Sequence, residues 1–112
     1  MVTTLERVIR HSVDYLKDDT EGNERAVELR VVVPLLRALG WRDGDPCEMI
    51  PQYNVEAGTV DWALCQKNKP VFLIEVKAAN QRLSMHEDQL EQYVRGTGVT
   101  LAALTNGAEW WL

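Results

Sequence analysis

Apolar positions recur at helical spacing over residues 3–19, where Leu5, Val8, Ile9, Ser12, Val13 and Leu16 share one face. Thr3 with Glu6 forms a capping box at its start. The polar stretch from Lys17 ends at Gly22-Asn23, a break followed by a good N-cap. Residues 24–39 carry two patterns. Ala26, Val27, Leu29, Leu35, Leu36 and Leu39 suit a largely buried helix, whereas Val31-Val32-Val33 before Pro34 suits a strand. A helix here would lose a hydrogen bond and bend at Pro34. Periodicity leaves both open, while the length and the closing Gly40 point to a helix.

The pattern then shortens. Residues 48–55 read as an edge strand or strand end, because Pro51 cannot donate to a ladder. A turn at Glu56-Ala57-Gly58 leads to a strand over residues 59–65, a polar turn over 66–70, and residues 71–78, the most strand-like segment. Ser84 and Glu87 form a second capping box, predicting a helix that runs to about Arg95 and stops at Gly96. Residues 99–105 predict a strand, Asn106-Gly107 a two-residue hairpin turn, and residues 108–112 the returning strand. This order of elements predicts an α/β fold with a mixed central sheet flanked by helices.

At 112 residues the chain is expected to form one domain. Its 46% hydrophobic content is too high for a disordered chain. No apolar run approaches the roughly 18 residues of a membrane span, and no basic-then-apolar leader opens the sequence. Cys47 and Cys65 are too few for a disulfide framework and have no zinc-spaced partners. A soluble, cytoplasmic protein with reduced thiols is therefore expected, with no membrane partner. The net charge of −5, from 12 Lys and Arg against 17 Asp and Glu, counts against a general electrostatic nucleic-acid binder but not against a local basic site.

Candidate chemistry sits at the end of the 71–78 segment. Phe72, Ile74 and Val76 fall on one face of a strand, and Val71 and Leu73 share the other with Glu75 and Lys77. A strand apolar on both faces is central, so these two charges are expected to be desolvated. On the preceding strand Asp61 lies between apolar neighbours, and a hairpin would bring its carboxylate level with Glu75. Two carboxylates held close need a cation between them, and Mg²⁺ accepts one or two carboxylates plus waters and phosphate oxygens. Lys77 could stabilise an attacking hydroxide or developing negative charge. Gln89 and Tyr93 project from one helix face at i, i+4 spacing, and Glu24, with Glu28 one turn on, adds a helix acid. His86 and His11 read as solvated helix residues, and the four tryptophans as core or interface.

This constellation resembles the PD-(D/E)XK nuclease superfamily, through Asp61 and the Glu75-Val76-Lys77 motif. It is more closely similar to the N-terminal nuclease domain of type I restriction enzyme R subunits and their free-standing relatives. Glu24, Pro34-Leu35-Leu36, Leu39-Gly40-Trp41, Gln89 with Tyr93, and Leu104-Thr105-Asn106-Gly107 followed by Trp110 carry that similarity over residues 23–112. The residue before Asp61 is Val60 where the superfamily motif has Pro. The resemblance implies a restriction-endonuclease-like core, with residues 24–39 helical. It implies hydrolysis of DNA phosphodiester bonds with Mg²⁺, or Mn²⁺ in its place, held by Asp61, Glu75 and the Val76 carbonyl. It further implies Glu24 as an outer acid, with Glu28 as the alternative, Lys77 polarising the water, and Gln89 and Tyr93 supporting the site. No ATP-driven motor fits in 112 residues, so no ATP site is expected. The apolar ending Trp110-Trp111-Leu112 leaves an edge suited to a homodimer. The rival expectation is a catalytically inactive module that keeps the nuclease fold and binds nucleic acid or assembles with a partner.

Overall fold

The computed structural model describes residues 4–18 and 23–111. Helix α1 spans Thr4–Asp18; its expected cap at Thr3 and the break at Gly22 lie outside the described residues. Asn23 caps the next helix as expected, its side chain accepting the Ala26 N–H at 3.0 Å. Residues 24–38 are helical throughout, as α2 (Glu24–Val27), a π-helical turn (Glu28–Val32) and α3 (Val33–Ala38). This wide turn stands directly before Pro34, where a bend is expected. The Val33 N–H bonds back five residues to the Glu28 carbonyl, immediately before a proline that has no N–H to give and whose ring would crowd an ordinary α turn. Gly40, at φ +103°, follows the end.

Five strands form one sheet in the order β1 (Met49–Val55), β2 (Gly58–Gln66), β3 (Lys69–Val76), β4 (Leu101–Thr105) and β5 (Trp110–Trp111). Only β3 and β4 run parallel, and the helical crossover between them carries α4 (Glu87–Val94). The sheet is therefore mixed and flanked by helices, as expected for a restriction-endonuclease-like core. Val27, Val31, Val32 and Leu36 pack on one face against Met49, Trp62, Leu64, Ile74, Val76 and Ala103. Tyr93 of α4 and Val99 close the other face over Val60, Ala63, Cys65 and Leu73. Among the described residues no helix is long and apolar enough to cross a membrane.

Two local expectations are corrected. Ser84 does not cap a helix: it lies inside a 3₁₀ turn, Leu83–Met85, and α4 begins after His86, whose side chain caps nothing. Asn106-Gly107 is not a two-residue hairpin turn, and the returning strand is only β5. The buried Asn106 amide donates to the Gln81 carbonyl at 3.0 Å, while its oxygen accepts the Ala108 and Glu109 N–H groups at 3.0 and 2.8 Å. These bonds hold a four-residue loop open where a tighter turn would lose all three.

Candidate active site

The β2–β3 register pairs Trp62 with Ile74, Ala63 with Leu73 and Leu64 with Phe72. One step outward, Asp61 faces Glu75, and the backbone ladder gives way to side chains. The Asp61 N–H donates to Glu75 Oε1 at 3.0 Å, and the Val76 N–H donates to Asp61 Oδ2 at 2.7 Å. Each carboxylate thus satisfies an amide that the ladder leaves open. The two strands are held by the same groups that could act as ligands, at the C-terminal ends of the parallel pair, where α/β sheets place their sites.

Glu75 is 5% exposed, and its carboxyl is pushed up to about 8. Burial is the main cause, followed by the contact with Asp61 and its negative charge; the Asp61 N–H and Lys77 pull the other way without prevailing. Lys77 Nζ lies 3.6 Å from Glu75 Oε2 and donates to Gln89 Oε1 at 3.2 Å. The buried Tyr93 hydroxyl is raised by burial and then by the charges of Glu75 and Asp61. Its ring lies against Gly58, where an added Cβ would stand 3.1 Å from Tyr93 Cε1.

The helical segment 24–38 supplies the opposite wall. Glu24 is raised by partial burial and then by Asp61, with Lys77 acting in the opposite sense. Glu28 is 4% exposed at the head of the π turn and pairs with Arg25 Nη1 at 3.1 Å. Burial raises it most, Arg25 lowers it, and Asp61 raises it again. Both helix acids therefore sit within electrostatic reach of Asp61.

Of the expected site residues, Asp61, Glu75, Val76, Lys77 and Gln89 are linked by direct contacts, and Glu24 and Tyr93 are coupled to them through charge. One neighbour goes unread in the sequence, and another, His86, reads there as a solvated helix residue. Gln52 donates its amide to Asp61 Oδ1 at 3.3 Å. His86, contacting Gln81 Oε1 at 3.2 Å, is lowered by burial and then by Lys77. The pattern of residues 48–55 gives no sign of the Gln52 contact.

Among the described residues no group of three or more His, Cys, Asp or Glu side chains is arranged to hold a metal. Asp61 and Glu75 with a backbone carbonyl form a smaller, hard-oxygen donor set. That set suits Mg²⁺, which keeps several waters and dispenses with an all-protein cage.

The sequence family described as Type I restriction enzyme R protein N terminus matches residues 47–111, more than half of the chain and all of the sheet. The chain belongs to this family. The matched R protein N-terminal segment includes Asp61, Glu75, Val76, Lys77, Gln89 and Tyr93, and leaves Glu24 and Glu28 outside it. Comparison with curated proteins and with solved structures gives no match. The R protein N-terminal family makes this a restriction-enzyme-related domain.

Proposed function

We propose that this domain hydrolyses DNA phosphodiester bonds with Mg²⁺, or Mn²⁺ in its place. The observation that supports this reading best is the contact set Asp61–Glu75–Lys77: two carboxylates pressed together at the open end of a hairpin, with an ammonium beside them. Asp61, Glu75 and the Val76 carbonyl would hold the cation, which would supply a water of lowered pKa and offset charge on the phosphate. Lys77, anchored by Gln89, presents donors to negative charge developing at the attacked phosphorus. Glu24 lies at the exposed rim, where it can bond a water on the way in. Tyr93 walls the site from beneath through its packing on Gly58.

The test is cleavage of linear, branched, single-stranded and supercoiled DNA with Mg²⁺ and with Mn²⁺, by the native chain and by Asp61→Asn and Lys77→Ala. Asn keeps an oxygen to accept the Val76 N–H, so the hairpin survives while a ligand charge is lost. Metal-dependent cutting by the native chain and loss of at least a hundredfold in both variants is the expected result. Equal cutting by all three proteins would refute the assignment. The net charge of −5 and the absence of an obvious basic stripe in the sequence support the rival, an inactive module that keeps the fold, more in its assembly form than in its nucleic-acid-binding form; no cutting by the native chain under any condition, with or without DNA binding, would favour that rival instead.

A further inference from the structure

Gln52 stands out on three observations that share no atoms with Lys77 or Gln89. Its backbone is left-handed at φ +52° although it is neither glycine nor in a turn; the other two such non-glycine residues described, Lys67 and Asn68, form the β2–β3 turn. It lies inside β1 across from Asp61, since Pro51 pairs with Trp62 and Tyr53 with Val60 while Gln52 and Asp61 make no ladder pair. Its side-chain amide donates to Asp61 Oδ1. The reversal also changes which way the strands face. Ile50 and Tyr53, an odd number of residues apart, pack on the same side, whereas Val60 and Trp62, two apart, pack on opposite sides. Left-handed backbone is costly for a residue with a side chain and persists where surrounding structure enforces it. Here what it achieves is visible: the turned peptide brings the Gln52 amide onto the acid of the facing strand.

We infer that Gln52 is a positioning residue that fixes the Asp61 carboxylate from the β1 side, opposite the Val76 amide. The inference rests on the proposed role of Asp61. With one N–H on each oxygen the carboxylate plane is set, and because each oxygen has two lone pairs, one on Oδ1 stays open toward a cation. Gln52 is exposed, so its amide is also accessible to what Asp61 binds.

The two variants that decide it are Gln52→Gly, which removes the amide and suits the left-handed backbone, and Gln52→Glu, which keeps the size and backbone demand but replaces the donor by a like charge. Amide hydrogen exchange of the metal-free protein is read at Val76 and, as a control within the ladder, at Leu73. Mn²⁺ alone is titrated by calorimetry. A positioning role predicts that Val76 exchanges about tenfold faster in both variants with Leu73 unchanged, that Mn²⁺ binds about tenfold more weakly, and that Gln52→Gly melts no lower than the native chain. Unchanged Val76 exchange in both variants would overturn it. So would a lowered melting temperature in Gln52→Gly with Val76 and Leu73 accelerated alike, which is the mark of a purely structural residue. If the native chain binds no Mn²⁺, the proposed function falls, while Val76 exchange still decides what Gln52 does.

Discussion

Replacing Glu75 with Gln should stabilise the fold, and the gain should grow with pH. The native carboxyl is raised from 4.5 to about 8 by burial and by Asp61. In the unfolded chain it reverts to an ordinary glutamate. Below about pH 4.5 both states hold the proton and nothing is lost. Between 4.5 and 8 the unfolded chain ionises first, so the native state binds more protons and stability falls as pH rises, by up to about 1.4 kcal/mol per pH unit. Across the whole window this amounts to about 5 kcal/mol, a large share of the 5–15 kcal/mol that holds a typical domain together. Gln keeps an oxygen to accept the Asp61 N–H and cannot ionise. It gives up the 3.6 Å approach to Lys77, the weakest of the influences on Glu75. Urea denaturation of both proteins at pH 5, 7 and 9, without divalent cations, measures the effect. Glu24 and Glu28 are raised as well, but they are present in both proteins, so their share drops out of the difference. The variant should match the native chain near pH 5 and exceed it by several kcal/mol at pH 9. Parallel stability curves, or a native chain more stable than the variant at pH 9, would refute the reasoning.

Two further substitutions test what frames the site. Gly58→Ala should cost about 1–3 kcal/mol in urea denaturation, because its Cβ would press on the Tyr93 ring at 3.1 Å from a backbone at φ +151°; a neutral effect would show that Tyr93 is free to move off the β1–β2 turn. Asn106→Ala should cost about 3 kcal/mol by the same measurement, since it strips partners from the Gln81 carbonyl and the Ala108 and Glu109 amides at once.

The sheet was legible because its strands are short, apolar and separated by strong turn residues, and because Glu75 and Lys77 interrupt an otherwise apolar strand. The pairing of Asp61 with Glu75 followed from hairpin geometry alone. The misreadings have different causes. Asn106 has the residue type of a tight turn, yet the Gln81 carbonyl captures its amide across the crossover. Ser84 and Glu87 satisfy the capping pattern, but residues 83–85 wind into a 3₁₀ turn that moves the helix start past them. Gln52 left no trace, since a left-handed residue within a strand has no compositional signature when it is not glycine. Residues 24–39 carried both patterns because a π turn before a proline relaxes the spacing that separates helix from strand.

On the proposed function, the acids at the hairpin mouth would do two jobs with the same atoms. Oδ2 of Asp61 and Oε1 of Glu75 replace carbonyls of the sheet as acceptors for Val76 and Asp61 amides. Alanine at either position would therefore strand a backbone N–H in addition to removing a charge, and a loss of activity could not be separated from a loosened hairpin. Amide isosteres keep an acceptor for the backbone N–H and remove the charge, at the cost of turning the other oxygen into an NH2 that faces Gln52 at position 61 or Lys77 at position 75, so they come nearer than alanine to dividing the structural job from the chemical one. Each acid is kept in place by the other strand's backbone, so the oxygens proposed as donors are set by the sheet itself.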